Sequence, residues 1–399
     1  MNWDGSVLSG DVRVNNVSTG STMKDIEARI FSVNPPDVGI GWNDQEWNYK
    51  SAAEGLSSRF VNWAFSGSGG ADFEFVVEVS WTPVPAKIAW VTERHGNREV
   101  YVANRDGTYP VNVSNHDADD DSPSLSADGS KVAWTRDPGG LSDYEVWVAN
   151  TDGTGAVRIS DCGTSPSLSA DGSKVAWTSD RGGYWNVWVA NADGTGAAVN
   201  VSNHDAYDSY PSLSADGSKV AWVSYRDGNS EVYVANTDGT GLAVNISRHN
   251  AQDSSPSLSA DGSKVAWTSY RNGNAEVYVA NTDDPEGLVN VSSDGNADDL
   301  YPSLSADGSK VAWYRDGGED LEVYVANADG TGGLVNISNY PDADDTSPSL
   351  SADGSKVAWT SWRDRDYEVY IANTNAPGAL MNVSAFIGAE DRDPSLQGN

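Results

Sequence analysis

The stretch Pro123-Ser124-Leu125-Ser126-Ala127-Asp128-Gly129-Ser130-Lys131-Val132-Ala133-Trp134 decides the fold, because it returns unchanged from Pro166, Pro211, Pro256, Pro302 and Pro348. A further copy is split. Its second half, Lys87-Ile88-Ala89-Trp90, opens the array, and its first half, Pro394-Ser395-Leu396, lies at the far end of the chain. A repeat cut in two, with its halves at opposite ends, predicts a closed ring. The lysine of the motif falls at 87, 131, 174, 219, 264, 310 and 356, a period of 43 to 46 residues. A period in the forties filled with short β-type segments predicts a propeller. The expected fold class is all-β, a seven-bladed β-propeller over 85–399 with a small β-rich domain over 1–84. The first blade is expected to combine 87–114 with 394–397.

Within one period, Ser-Pro-Ser-Leu-Ser reads as the innermost strand, Lys-Val-Ala-Trp as the second, Glu-Val-Tyr-Val-Ala-Asn as the third, and Val-Asn-[Val/Ile]-Ser as the fourth. Asp-Gly between alternating apolar runs is a hairpin signal, since glycine reaches φ > 0 without strain. The two-residue period of a strand puts Val132 and Trp134 on one face and Lys131 and Ala133 on the other. A bulky face can then pack on the small face of its neighbour. The motif tryptophans and the third-strand aromatics Tyr101, Trp147, Trp188, Tyr233, Tyr278, Tyr324 and Tyr370 are therefore expected in the core. The repeated Asn-[Val/Ile]-Ser triplets match a glycosylation acceptor, but their place in a copied outer strand makes that match incidental.

The pattern Asp-x-x-Pro-Ser-Leu-Ser-x-Asp-Gly-Ser-Lys-Val-Ala-Trp-Thr-Ser-x-Arg, followed by Glu-Val-Tyr-Val-Ala-Asn-x-Asp-Gly, resembles the TolB-type β-propeller repeat, a relative of the WD repeat. The resemblance implies the fold over about 310 residues. It implies little about activity, because this repeat serves scaffolds, peptidase gating domains and lyases alike. No Gly-x-Ser-x-Gly nucleophile elbow occurs in the sequence.

Asp and Glu number 58 against 25 Lys and Arg, a net charge of −33. Nucleic acid and anionic membranes need a basic footprint and are poor partners for such a chain. Cations, basic proteins and neutral glycans stay open. The same excess of acid would keep a protein soluble in high salt. Cys162 is the only cysteine, which rules out an intrachain disulfide and a thiolate zinc cluster. No apolar run is long enough to span a bilayer. The N-terminus, MNWDGSVLSG, has neither the basic nor the apolar region of a signal peptide. The chain is then either cytoplasmic or starts after a removed leader, and in the second case a periplasmic or extracellular site is favoured.

Two recurring positions fall on the face shared by the blade linkers and the loops between second and third strands. The first is an aspartate three residues before each proline: Asp120, Asp208, Asp253, Asp299, Asp345 and Asp391, with Gly163 alone breaking the series. Further acids lie nearby at Asp117, Asp119, Asp121, Asp298, Asp342, Asp344, Glu390 and Asp393. Clustered carboxylates at the channel mouth would suit a hard cation such as Ca²⁺. The competing reading is an aspartate bonded to backbone N–H groups of its own linker. The second position is an arginine after each second strand: Arg94, Arg136, Arg181, Arg226, Arg271, Arg315 and Arg363. Glu99, Glu145, Glu231, Glu276, Glu322 and Glu368 open the third strands, with Asn186 as the exception. Each arginine is expected to pair with its glutamate across the hairpin, or with the linker aspartate of a neighbouring blade. Seven like polar pockets for a repeated ligand are the functional alternative. His116, His204 and His249 read as linker-packing residues. The clearest break of symmetry, Asp161-Cys162-Gly163 with Asn186, removes polar groups instead of adding them.

In the first 84 residues, 11–14, 28–31 and 73–79 read as strands, Pro35-Pro36 and 66–70 as turns, and 51–61 as a short helix. Residues 81–85 read as a proline-stiffened linker. Trp42 and Trp47 fall in a polar loop that could stack a sugar, or could simply pack. The composite expectation is a non-enzymatic binding or scaffold protein that shows an acidic face to a protein or peptide, with Ca²⁺ as the candidate cofactor. The alternative is a multivalent lectin that uses interblade pockets or Trp42 and Trp47. A lyase or hydrolase at the channel mouth would need catalytic residues confined to one or two blades.

Overall fold

In the computed structural model the chain divides into two compact units, Met1–Pro85 and Ala86–Asn399. The structure describes 86–396 except 140–142, 294, 319, 341, 364 and 386–387, and in the first unit it describes the backbone of the strands alone. Those strands include a four-stranded antiparallel sheet in which Val12–Val14 pairs Asp72–Val79, Asp72–Val79 pairs Val61–Ser66, and Val61–Ser66 pairs Glu27–Arg29. Trp42 and Trp47 lie in register on a hairpin of Ile40–Asn43 and Glu46–Tyr49, which corrects the loop read there. The helix expected over 51–61 falls on residues outside those described, apart from Val61, which begins a strand.

The second unit consists of seven four-stranded antiparallel sheets. Blade two runs Asp119–Leu125, Lys131–Asp137, Glu145–Asn150, Val157–Ser160, and blades three to seven repeat that order along the chain. Blade one takes Lys87–Thr92, Glu99–Asn104 and Val111–Asn112 from one end of the unit and Asp391–Leu396 from the other. The closing strand thus begins three residues before Pro394. Each first strand neighbours the first strand of the next blade, and Asp391–Leu396 touches Asp119–Leu125 to close the circle.

A side-chain girdle fastens that circle. The serine after each motif proline accepts a hydrogen bond from the leucine N–H of the following blade. Leu168 N donates to Ser124 Oγ at 3.0 Å, Leu213 N to Ser167 Oγ at 3.0 Å, and so on round to Leu125 N, which donates to Ser395 Oγ at 2.9 Å. The last of these bonds joins the two ends of the repeat region across 270 positions of sequence.

Between the blades the packing follows the strand period. Trp134 of blade two lies in one cluster with Ala89, Val100 and Val102 of blade one, and Trp90 of blade one lies with Ala358 and Ile371 of blade seven. All seven motif tryptophans are at most 1 % exposed. Removing such a side chain leaves a cavity that typically costs about 3–5 kcal/mol. On the opposite face, Asp-Gly turns let successive blades approach closely. Gly172 has φ +64°, and a Cβ there would stand 3.3 Å from Lys131 Cγ of the preceding blade.

Deletion of residues 391–399 should lower the melting temperature and broaden unfolding, because blade one loses its inner strand and the girdle loses two of its links. Differential scanning calorimetry measures this, and an unchanged transition would sink the closure argument.

Candidate functional site

The six aspartates expected to ring the channel mouth are all 0 % exposed. Each belongs to a separate site inside its own blade. Trp134 Nε1 donates to Asp120 at 3.0 Å, Trp267 Nε1 to Asp253 at 3.1 Å, Trp313 Nε1 to Asp299 at 2.7 Å, Trp359 Nε1 to Asp345 at 3.0 Å, and Trp90 Nε1 to Asp391 at 3.2 Å. A buried carboxylate needs a cation as well as hydrogen bonds. The recurring arginine supplies it: Arg94–Asp391 at 3.3 Å, Arg136–Asp120 at 2.8 Å, Arg226–Asp208 at 3.5 Å, Arg271–Asp253 at 3.6 Å, Arg315–Asp299 at 2.7 Å and Arg363–Asp345 at 3.5 Å. Neither the linker Asx turn nor the pairing with a neighbouring blade is what forms. The pair is internal to one sheet.

Small sequence differences tune these pairs. In Lys131–Asp137 and Lys310–Asp316 the arginine follows Trp by two residues and lies in register with its aspartate. The result is a forked pair, with Arg136 Nε to Asp120 Oδ1 at 2.8 Å and Nη2 to Oδ2 at 3.0 Å. Elsewhere two residues are inserted and a serine or threonine takes the register position. Arg271 Nε then donates to Ser269 Oγ at 2.9 Å, and its Nη2 stands 3.6 Å from Asp253. Every arginine also packs over its third-strand aromatic, from 4.3 Å at Tyr370 to 5.1 Å at Trp188. Several bind the preceding blade through its outer-strand serine carbonyl, as Arg136 Nη2 does with Ser114 O at 3.2 Å.

Among the third-strand glutamates Glu145 stands apart, accepting from Trp147 Nε1 at 2.8 Å and from Arg158 of its own outer strand at 2.6 Å. The other five, Glu99, Glu231, Glu276, Glu322 and Glu368, accept a hydrogen bond from the outer-strand serine hydroxyl, as in Ser292 Oγ to Glu276 Oε2 at 2.6 Å, while the same serine accepts a backbone N–H such as Val277 N at 2.9 Å. The serine of the Asn-[Val/Ile]-Ser triplet is thus part of the sheet. His116, His204 and His249 each accept the N–H two residues on, at 3.0–3.1 Å, within their linkers. Among the described residues no three or more His, Cys, Asp or Glu side chains are placed to hold a metal ion. The carboxylate ring read from the sequence resolves into six buried ion pairs, in five of which the aspartate also accepts from the indole N–H of its blade.

What remains free on this face comes from positions where the copies differ. Each first strand carries a bulge in which the residue before proline has φ between 52° and 54°: Ser122, Ser165, Tyr210, Ser255, Tyr301, Ser347 and Asp393. A residue before proline ordinarily prefers extended φ, so this is a strained position held by its surroundings. The preceding blade helps, with Tyr301 N donating to Thr268 Oγ1 at 3.2 Å and Asp393 N to Thr360 Oγ1 at 2.9 Å. The bulge residues point outward, Tyr210 being 53 % and Tyr301 51 % exposed.

Around Tyr210 and Tyr301 the sequence adds Tyr207, Tyr225, Tyr270 and Tyr314, which makes a wall over blades four to six. Tyr207 meets Tyr225 edge-on at 5.9 Å, and Tyr301 stacks on Tyr314 at 5.7 Å. A cavity of about 540 Å³ lies among Tyr207, Tyr210, Tyr225, Tyr270 and Gln252. Burial, with Tyr301 and Tyr270 close by, pushes the Tyr314 hydroxyl up to about 12. Across the ring, on blades one and two, the face is acidic. Arg98 bridges Asp121 at 2.7 Å and Asp119 at 3.1 Å, and Asp393 accepts from Ser347 Oγ at 3.0 Å. Sequence reading missed the tyrosine wall. The signal was there, as departures from an otherwise fixed repeat just before Pro and just before Arg.

Asp121 and Asp253 are each pushed up to about 6, by burial first. An exposed aspartate titrates near ~3.9, so the folded chain holds these protons more tightly than the unfolded one. Their contribution therefore favours the fold at low pH and is lost as pH rises from about 4 to about 6. Asp121→Asn and Asp253→Asn should each gain on the wild type in melting temperature across that interval, whatever their offset at its start. Scanning calorimetry at stepped pH checks this, and a pH-independent offset would refute it.

Residues 140–335 match the family model of the TolB beta propeller domain. No curated protein matches the chain. Among solved structures, TolB from Acinetobacter baumannii superposes with a TM-score of 0.52 at 16% identity, over 86% of this chain and 81% of that one. A puromycin-hydrolyzing peptidase of Mycobacterium tuberculosis gives 0.58 at 17%, over 74% of this chain and 50% of the peptidase. The β-propeller domain of the Trilobed protease from Pyrococcus furiosus, described as having an open velcro topology, gives 0.56 at 10%, over 83% and 96%. At these identities the likeness is one of fold. The family match lies across blades two to six and the same motif completes blades seven and one, so residues 86–399 form a seven-bladed β-propeller whose repeat is similar to that of the TolB beta propeller domain.

Proposed function

We propose that this protein is a non-enzymatic scaffold that binds an extended, basic segment of a protein partner on the linker face of its propeller. One observation carries the reading: the positions that vary between otherwise identical copies gather there as a tyrosine wall opposite an acidic patch. Tyrosines offer broad apolar contact at low entropic cost, with hydroxyls at the rim. Their ring faces also attract lysine and arginine. The arginines of blades four to six are committed to their aspartates, so the wall presents no free guanidinium of its own. A net charge of −33 favours a basic partner and speeds its encounter. The wall is not a sevenfold-repeated pocket, which supports one partner at one orientation over a multivalent glycan reading.

Selection from a displayed random-peptide library should enrich basic sequences containing an apolar or aromatic anchor. Tyr210→Ala with Tyr301→Ala should weaken the selected peptides at least about tenfold, as the loss of anchor contacts does at interfaces, with melting unchanged. Enrichment of acidic peptides, or binding indifferent to both substitutions, would overturn the reading.

A further inference from the structure

Blade three is the one blade that has lost both of its buried acids, and what it has kept points to a ligand. Gly163 stands where the other blades have their aspartate, and a Cβ there would lie 2.4 Å from Trp177 Cδ1. Asn186 stands where they have glutamate. Its amide is already used: Oδ1 accepts from Ser202 Oγ at 3.0 Å and His204 N at 3.0 Å, and Nδ2 donates to Tyr184 O at 3.0 Å.

Three donors are left over. Trp147 of blade two donates Nε1 to Glu145 at 2.8 Å, but Trp188 at the same place in blade three has no acceptor. Trp177 Nε1 has none either, a lack it shares with Trp222 of blade four. Arg181 has no carboxylate partner among the described residues. Its guanidinium lies exposed, 5.1 Å from the Trp188 ring. The adjacent Asp180 is turned away and accepts from Cys162 Sγ at 2.8 Å. Arg158, on the neighbouring outer strand, is occupied by Glu145 at 2.6 Å.

A cavity of about 410 Å³ opens at this place, lined by Ile159 of blade two and by Arg181, Trp188, Ala190 and the small residues Gly194, Gly196, Ala197 and Ala198 of blade three. That volume falls within the roughly 300–1,000 Å³ usual for small-molecule sites. Its walls are an indole, an isoleucine and small side chains, and its only free charge is one planar, forked cation. A guanidinium matches two oxygens in a plane, and an indole flank suits a flat ring.

We propose that this interblade groove binds a small ring compound bearing a carboxylate, which pairs with Arg181 while the ring packs on Trp188. The ligand supplies from outside the acid that every other blade carries within its own sequence. The net charge of −33 opposes an anion at long range, but screening over about 8 Å at physiological ionic strength leaves the local guanidinium to decide. This site is separate from the tyrosine wall and does not rest on the reading given for it.

The test is a titration of ¹⁵N-labelled full-length protein at fixed ionic strength with benzoate and with D-glucuronate, against benzamide and D-glucose. The readout is the indole N–H signal of Trp188, assigned with Trp188→Phe. At least one carboxylate should shift that signal saturably while its neutral counterpart does not, and the pair that responds tells an aromatic ring from a sugar. Arg181→Gln should weaken binding at least about tenfold. Asn186→Glu should also weaken binding, because it returns a negative charge to the strand beside Arg181. Melting curves confirm that both variants fold. No saturable shift with either carboxylate would overturn the proposal. So would equal shifts with the neutral compounds or sodium chloride, or unchanged binding by either variant.

Discussion

Everything in the propeller hangs on an indole that is buried between blades yet has one polar edge. Seven tryptophans supply the volume that holds neighbouring sheets together, each set against an alanine of the blade before. Their N–H groups cannot be left bare at no cost, since an unmade buried hydrogen bond costs about 1–3 kcal/mol. In five blades an aspartate on the first strand meets that need, and the aspartate in turn demands a cation. The arginine that answers is long enough to cover the third-strand ring and to reach the carbonyl of the preceding blade. One apolar requirement has thus drawn in a chain of polar ones. That chain explains why so many charged residues repeat in a protein whose blades are held together by packing.

The fold was legible because it depends on period and alternation, which a sequence displays directly. The split motif at Lys87 and Pro394 gave closure, and the Val-x-Trp alternation gave the interblade faces. The destination of Asp120 or Asp253 was less readable. A carboxylate near a loop end can point into the channel, into its own linker or into its own sheet, and strand spacing alone does not choose. The register of Asp120 with Arg136 does choose, and it depends on a bulge just before Pro123 that shifts the pairing. The arginine–glutamate pairs failed for a related reason. Glu276 lies across from Ser269, but the shorter path for its oxygens leads to the outer-strand hydroxyl of Ser292.

Uniformity then changes the meaning of exceptions. In an ordinary domain a surface tyrosine says little. In this ring, Tyr210 and Tyr301 replace serines in copies that otherwise agree through twelve consecutive residues. Gly163 and Asn186 are informative in the opposite direction, as the loss of groups that the other blades retain. Both kinds of exception lie on a frame whose energetics the neighbouring copies reveal, so each can be compared with six internal controls.

The bulge before each proline has a consequence for how such a surface can change. Its positive φ disfavours serine, tyrosine and aspartate alike, and at Ser165, Tyr301 and Asp393 a threonine hydroxyl of the preceding blade holds the strained N–H. The side chain at this point is therefore nearly irrelevant to whether the blade folds, while its outward direction is fixed. Four of these seven positions, Ser122, Tyr210, Tyr301 and Asp393, stand open to solvent. A chain built by copying one unit can in this way acquire a distinct face through single substitutions, with no rebuilding of the frame that presents them.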